Sequence, residues 1–308
     1  MWSFTVCDLL RGIARPSSRS PSTSVHRSHQ AIIIPPRPGG GPPPSVVALT
    51  FEPHPISVLR PELAPGDSST PPRNIEALAS AGADCVVVAA STPELFAIEA
   101  AAFIRDVLVA RFQPQAIVEG RNFRFGHNRA GDIATLRDHE SACGYRTVVV
   151  EPVQQELADG TTERISSSLV RRLVSAGEMT SVTAALGRPY ILTGTVVPGA
   201  ARGRDLGFPT ANIRTPAVLL PGDGVYAGFV DTDNRAVPAA ISIGHTPTFA
   251  GDARQFEAHL LDFSGDLYAR SVAVHVTHWI RAQQRFGSPE KLIAQIQSDI
   301  ARVRELTK

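Results

Sequence analysis

Cysteine, tryptophan and methionine are scarce in this chain, with three Cys, two Trp and two Met among 308 residues. Cys7, Cys85 and Cys143 are odd in number and far apart, which excludes a disulfide framework and a cysteine metal cluster. Cys85 sits in Ala83-Asp84-Cys85-Val86-Val87-Val88 and reads as a buried, inert thiol. A reducing cytosol fits this usage, so a cytoplasmic protein is expected. An excess of either charge is also missing. Thirty Lys+Arg against 29 Asp+Glu leave a formal net charge of +1, which gives no reason to expect nucleic acid or an anionic membrane as partner. No apolar run approaches the roughly eighteen residues of a spanning helix. Nor does the chain contain Gly-x-x-x-x-Gly-Lys-Ser/Thr, which excludes a P-loop phosphotransferase.

What remains is a globular composition, 43% hydrophobic and 19% charged, long enough for two domains. Residues 1–45 stand apart. Arg11 to His29 is rich in Ser, Arg and Pro without an acidic residue, a composition shared by transit peptides. The tract Pro35-Pro36-Arg37-Pro38-Gly39-Gly40-Gly41-Pro42-Pro43-Pro44 can be neither helix nor strand interior. Disorder is the expectation there. From Val46 the pattern changes to short apolar strands (Val46–Phe51, Asp84–Ala90, Ala116–Val118, Thr147–Val150) alternating with helices (Arg73–Ala81, Ala97–Ala110, Asp132–Ala142). That alternation predicts a doubly wound α/β domain over 46–186, with ligands at the carboxyl ends of its strands. Three stretches fall at those ends: Phe51-Glu52-Pro53-His54-Pro55, Gly120-Arg121-Asn122-Phe123-Arg124-Phe125-Gly126, and Ile165-Ser166-Ser167-Ser168-Leu169-Val170-Arg171. Singly each is ordinary; together they read as a nucleotide crevice, with a helix start able to meet phosphate.

Gly187-Arg188-Pro189 opens a second domain, 187–308, of alternating strands: Tyr190–Val197, Gly224–Val230, Val237–Ile243, Phe256–Phe263 and Arg270–Ile280. Its simplest closure is a small antiparallel barrel. A last helix starts at Ser288-Pro289 and carries Leu292, Ile293, Ile296, Ile300 and Val303 on one face. Within this domain Gly199, Gly203 and Gly207 recur every fourth residue around Arg202 and Arg204. Such a loop suits an anion, phosphate above all. Behind Pro209, Thr210 and Asn212 stand two apart, so an extended backbone points both to one side. A hydroxyl beside a carboxamide oxygen suits Mg²⁺. The plain alternative is a glycine-rich turn whose side chains bond only local backbone.

Pro209-Thr210-Ala211-Asn212 resembles the nucleotide- and Mg²⁺-binding motif of riboflavin kinases. The three crevice stretches resemble the adenylyltransferase module of prokaryotic bifunctional FAD synthetases, which carry that module first and a riboflavin kinase module second. The likeness runs from about Ser45 to the end of the chain. It implies a six-stranded kinase barrel, ATP and Mg²⁺, and riboflavin and FMN as substrates. In the kinase, Glu257 of Phe256-Glu257-Ala258-His259-Leu260-Leu261-Asp262-Phe263 matches the catalytic base. Gly224, Val225 and Tyr226 match flavin and nucleotide surroundings, as part of Gly222–Ala227; Ile243–Phe249 matches as well. In the adenylyltransferase the resemblance implicates Asn122, Phe123, Ser166, Ser167 and Arg171.

The family crevice also holds two histidines on the ATP phosphates, and here only His26 and His29 keep their spacing. Ser28 stands where the family has Gly, and foreign flanks surround the pair. A solvated pair and a phosphate-binding pair both remain open. Such flanks point to a shifted reading frame or misplaced start, and with strand and helix missing, FMN is expected to form well and FAD poorly. Two rivals stand beside this reading: a non-catalytic small-barrel binding module, and an adenylyltransferase for another phosphorylated cofactor.

Overall fold

In the computed structural model the apolar run that starts at Val46 lies inside a five-stranded sheet of order β3-β2-β1-β4-β5. The strands are β1 (Ser3–Cys7), β2 (Val46–Glu52), β3 (Cys85–Ala90), β4 (Ala116–Gly120) and β5 (Arg146–Val150). The structure describes residues 3–7, 25–33, 45–53, 55–59, 62, 71–199, 202–216, 218–233, 235–245 and 254–308. Val- and Ile-rich segments fill the sheet because branched side chains pack well on a pleated surface covered on both faces. Ala48 joins Val25, Ile33 and Leu78 on one face, while Leu49 and Ile117 join Ile104, Phe125 and Leu136 on the other.

The sheet corrects the expectation for residues 1–45 in two places. β1 fills the position beside β2 and runs antiparallel to both neighbours, with Phe4 opposite Leu49 and Val6 opposite Ile117. The pairs β2–β3 and β4–β5 are parallel. Secondly, Arg27–Ile33 is a helix, ending before the Pro-Gly tract that was expected to forbid it. The helix orders because it buries groups against the sheet, Ile33 to 2% exposure, and β1 orders through its ladder to β2 and β4. The Pro-Gly tract itself lies outside the described residues.

Two expected helices are broken. The first is resolved into Pro93–Phe96, capped by Thr92, then Ala100–Ala102, a π-helical stretch Phe103–Val109 and Ala110–Phe112. The second splits into Ile133–Asp138, started by an Asp132–Thr135 capping box, and Glu140–Cys143. A short hairpin follows, β6 (Gln154–Glu156) and β7 (Thr162–Arg164).

The chain divides into two compact units, Met1–Gly66 with Thr70–Gln154 and Arg164–Ser167, and Asp67–Ser69 with Gln155–Glu163 and Ser168–Lys308. The second therefore takes in Met179–Leu186, ahead of the expected start at 187, because that helix packs on barrel strands β13 and β8. The closed barrel has the order β10-β11-β12-β9-β8-β13. Its strands are β8 (Tyr190–Val197), β9 (Ala211–Arg214), β10 (Gly224–Asp231), β11 (Ala236–Gly244), β12 (Gln255–Leu260) and β13 (Ser271–Arg281). Pattern reading gave five of these, and β9 is the sixth. The last helix, Pro289–Leu306, is capped by Ser288 and packs Val303 beside Ala227 and Leu261. Asp299, only 5% exposed, accepts from Arg281 Nε at 3.0 Å and Nη2 at 2.8 Å. That bidentate pair fastens the helix to β13.

Candidate functional site

In the barrel, β9 lies between β8 and β12. This places Asn212 directly opposite Glu257, and Glu257 in turn opposite Ser242 on β11. Residues opposite one another share a face, so one polar row crosses three strands. Gln283 Nε2 donates to Ser242 Oγ at 2.9 Å at the far end of the row. Entry to β9 is held by His259, whose Nδ1 donates to the Pro209 carbonyl at 2.8 Å. Phe208 adds an edge contact to the His259 ring, centroids 5.8 Å apart.

The glycines work by absence of a side chain. A Cβ on Gly199 would sit 2.0 Å from Asn212 Nδ2, and one on Gly203 would meet the Phe208 carbonyl at 2.4 Å and Thr210 Oγ1 at 3.4 Å. Gly207 has φ +86°, the left-handed region that other residues adopt at a cost. Gly199 and Gly203 thus lie close against the two polar side chains. A cavity of about 450 Å³ opens beside it, lined among others by Arg204, Thr210, Leu260, Phe263, Asp266 and Tyr268. Arg204 is exposed; the Arg202 backbone lies in the helical turn Arg202–Asp205 and its side chain outside the described residues.

Gly224, Val225 and Tyr226 are not brought to this row. They lie buried in β10, separated from β9 by β11 and β12. Tyr226 donates to the Gly222 carbonyl at 2.5 Å and meets Trp279 edge-on, a packing arrangement. Beside them, one residue from each of the two matched stretches joins a cluster with Arg254, which no motif singles out. Asp223 accepts from Arg254 Nε at 2.9 Å and from His245 Nδ1 at 3.2 Å. Burial opposes ionisation of Asp223, but these bonds outweigh it and hold its carboxyl below the usual range. Of the matched Ile243–Phe249 stretch, residues from Thr246 lie outside the described residues, as does His54.

In the α/β unit three segments meet. His26 and His29 are 5% and 9% exposed, with rings stacked at 3.9 Å. His26 Nε2 lies 3.4 Å from Ser167 Oγ. Ser28 Oγ donates to the Ile165 carbonyl at 3.2 Å. In the orientation that satisfies its surroundings, the Asn122 carboxamide oxygen accepts from Arg164 at 2.7 and 3.1 Å. Phe123, one residue on, stacks on Phe125 at 5.3 Å. Ser166 precedes the helix Ser167–Ala176, and Arg171 follows Ser167 by about one turn of it. The reading of His26 and His29 as a solvated tail pair is thereby overturned.

Burial, then the charge of His26, push the His29 imidazole well below its usual pKa and so keep it neutral. Its Nδ1 is buried without a hydrogen-bond partner among the described residues. Nearby in sequence to Asn122, Glu119 is the penultimate residue of β4 and only 2% exposed. Burial raises its carboxyl well above the carboxylate range, against one bond from the Gly120 N–H. Ser28, Arg164 and Glu119 were not among the residues singled out for the site. For Arg164 a signal existed, two positions before Ser166; for Glu119 a lone acid among apolar residues was the signal.

Comparison with known proteins covers nearly the whole chain. A family model described as FAD synthetase matches residues 24–169, and one described as riboflavin kinase matches residues 186–307. The bifunctional riboflavin kinase/FMN adenylyltransferase of Pseudomonas fluorescens is 37% identical over 286 residues, 92% of this chain and 89% of that protein. The protein of the same description from Escherichia coli K12 is 34% identical over 283 residues, 91% of this chain and 89% of that one. Among solved structures, one described as a macrolide-efflux protein from Streptococcus pneumoniae aligns with TM-score 0.76 at 25% identity, covering 92% of this chain and 95% of that chain. Among the described residues, no helix is long and apolar enough to cross a membrane.

Proposed function

The chain belongs to the bifunctional riboflavin kinase/FMN adenylyltransferase family, and from that we propose that it phosphorylates riboflavin to FMN and then joins FMN to AMP. The observation that carries the kinase half is the pairing of Glu257 with Asn212 across β12 and β9. The barrel unit, which takes in Met179–Leu186, is the kinase, and the α/β unit, completed by β1 and the helix Arg27–Ile33, the adenylyltransferase.

In the kinase, Glu257 accepts the proton of the ribityl 5′-hydroxyl as that oxygen attacks the γ-phosphorus of ATP, and ADP leaves. The transfer itself asks for positioning and charge neutralisation more than covalent chemistry. Arg202, Arg204 and the Gly199–Gly207 loop surround the phosphates. The donor set fits Mg²⁺: one hydroxyl and one carboxamide, both hard oxygens, stand where glycines 199 and 203 leave room for nothing larger. Thr210 and Asn212 would hold the ion, which would neutralise phosphate charge. Gly224, Val225 and Tyr226 support the flavin side by shaping the barrel wall.

In the adenylyltransferase, a phosphate oxygen of FMN attacks the α-phosphorus of ATP and pyrophosphate leaves. His26, His29, Ser166, Ser167 and Arg171 take the ATP phosphates; Asn122 and Phe123 border the crevice. Neutral His29 offers an N–H donor at no cost in buried charge. The bond from His26 to Ser167 supports this reading over the earlier expectation of a lost FAD activity. One incubation tests both halves: riboflavin, ATP and Mg²⁺ with purified protein, flavins separated by chromatography. FMN followed by FAD is expected. Riboflavin left unchanged would refute the kinase, and FMN that never becomes FAD would refute the second step.

A further inference from the structure

A hydroxyl lies between the two stacked histidines in sequence. Ser28 is the second residue of the helix Arg27–Ile33, and its Oγ donates to the carbonyl of Ile165, 137 residues away. The acceptor is itself well fixed. Ile165 is 2% exposed, and its own N–H donates to the Val153 carbonyl at 2.9 Å. Ile165 leads directly into Ser166 and Ser167, and Ser167 Oγ is the atom that faces His26 Nε2 at 3.4 Å.

Two links therefore join the same pair of segments, and they differ in kind. The His26–Ser167 contact is between two side chains that a phosphate would also contact, so it is open to exchange when nucleotide binds. The Ser28–Ile165 bond runs from a half-buried hydroxyl to a buried backbone carbonyl, and that carbonyl has no donor to offer an anion, so its only role here is to hold the hydroxyl. We propose that Ser28 is a positioning residue for adenylyl transfer, holding the histidine helix in register with the serine segment while the contacts to phosphate change. The role rests on the adenylyltransferase reading above.

One neutral hydrogen bond is worth about 1 kcal/mol net, which converts to about a three- to tenfold change in an equilibrium. The test compares Ser28→Ala with Ser28→Thr, the second keeping the hydroxyl. Both are assayed for FAD formation from FMN over a range of ATP, and for riboflavin phosphorylation. Ser28→Ala should raise the KM for ATP in FAD formation about three- to tenfold, Ser28→Thr should restore it, and riboflavin phosphorylation should not move. Hydrogen–deuterium exchange of the 27–33 peptide supplies a readout independent of turnover, faster in Ser28→Ala and restored in Ser28→Thr. An unchanged KM, a loss confined to kcat that Thr does not rescue, or unchanged exchange would overturn the proposal. Should the wild-type protein form no FAD at all, the adenylyltransferase reading falls and takes the role with it, while the exchange comparison still decides whether the tie exists.

Discussion

Single residues carry the chemistry, and two make separable predictions. Glu257 is the only carboxylate in the row formed with Ser242 and Asn212. Glu257→Gln should therefore retain the barrel and ATP binding while FMN formation drops by about 10²–10⁴-fold, the usual range for a general base. Steady-state turnover beside an unchanged thermal unfolding curve checks this; near-wild-type turnover would remove Glu257 from that role. Glu119 bears on stability. Its carboxyl is raised in the folded chain, chiefly by burial. A raised acid leaves the folded state neutral while the unfolded state ionises, so stability is full below the unfolded carboxylate pKa and falls as pH rises towards the folded value. Replacing Glu119 by Gln should flatten that fall and raise the melting temperature at neutral pH relative to wild type. Parallel melting curves across pH for the two proteins would contradict it.

At the scale of elements, β9 and the glycine loop before it form one device. The strand has four residues and pairs on both sides, which brings Asn212 opposite Glu257, and Gly199 leaves room for the Asn212 carboxamide. Gly199→Ala puts a methyl group within 2.0 Å of Asn212 Nδ2, a distance no side chain tolerates. Asn212 must then move. The expected result is a sharp loss of riboflavin phosphorylation and a raised Mg²⁺ requirement, with FAD formation from supplied FMN intact. An equal loss in both reactions would mean general unfolding instead, and activity unchanged would show that the approach is not needed. The short apolar elements of the other unit behave differently. β1 takes a central place in the sheet although nothing in its neighbourhood of sequence announced a strand.

At the scale of the whole molecule, two reactions share one chain, and the proposed sites draw on two separate sets of residues. Glu257→Gln should abolish FMN formation yet still convert supplied FMN to FAD, and His29→Ala should do the reverse. Mixing the two variants should restore FAD from riboflavin, because FMN diffuses between molecules; failure of the mixture would contradict separate sites. Much of this organisation was legible early. Apolar runs alternating with helix patterns announced the α/β unit, and period-two alternation announced five barrel strands, because burial against a sheet imposes those periods locally. Thr210 and Asn212 were legible as candidates because their residue types and spacing suit Mg²⁺, whereas Glu257 was legible only through the family resemblance. The sixth strand was not, since a run of only four residues is too short to announce itself and becomes a strand only when β8 and β12 pair with it. Composition misled over residues 3–7 and 25–33 for the same reason. The segment Arg27–Ile33 holds no proline of its own, and burial of Ile33 against the sheet lets it form a helix within a Pro-rich stretch. Sequence alone determined which chemistry the chain could perform, since that lies in side-chain type and spacing. Only the tertiary structure decided which groups meet, because Asn212 with Glu257, His26 with Ser167 and Ser28 with Ile165 are pairings across long stretches of chain that no local pattern encodes.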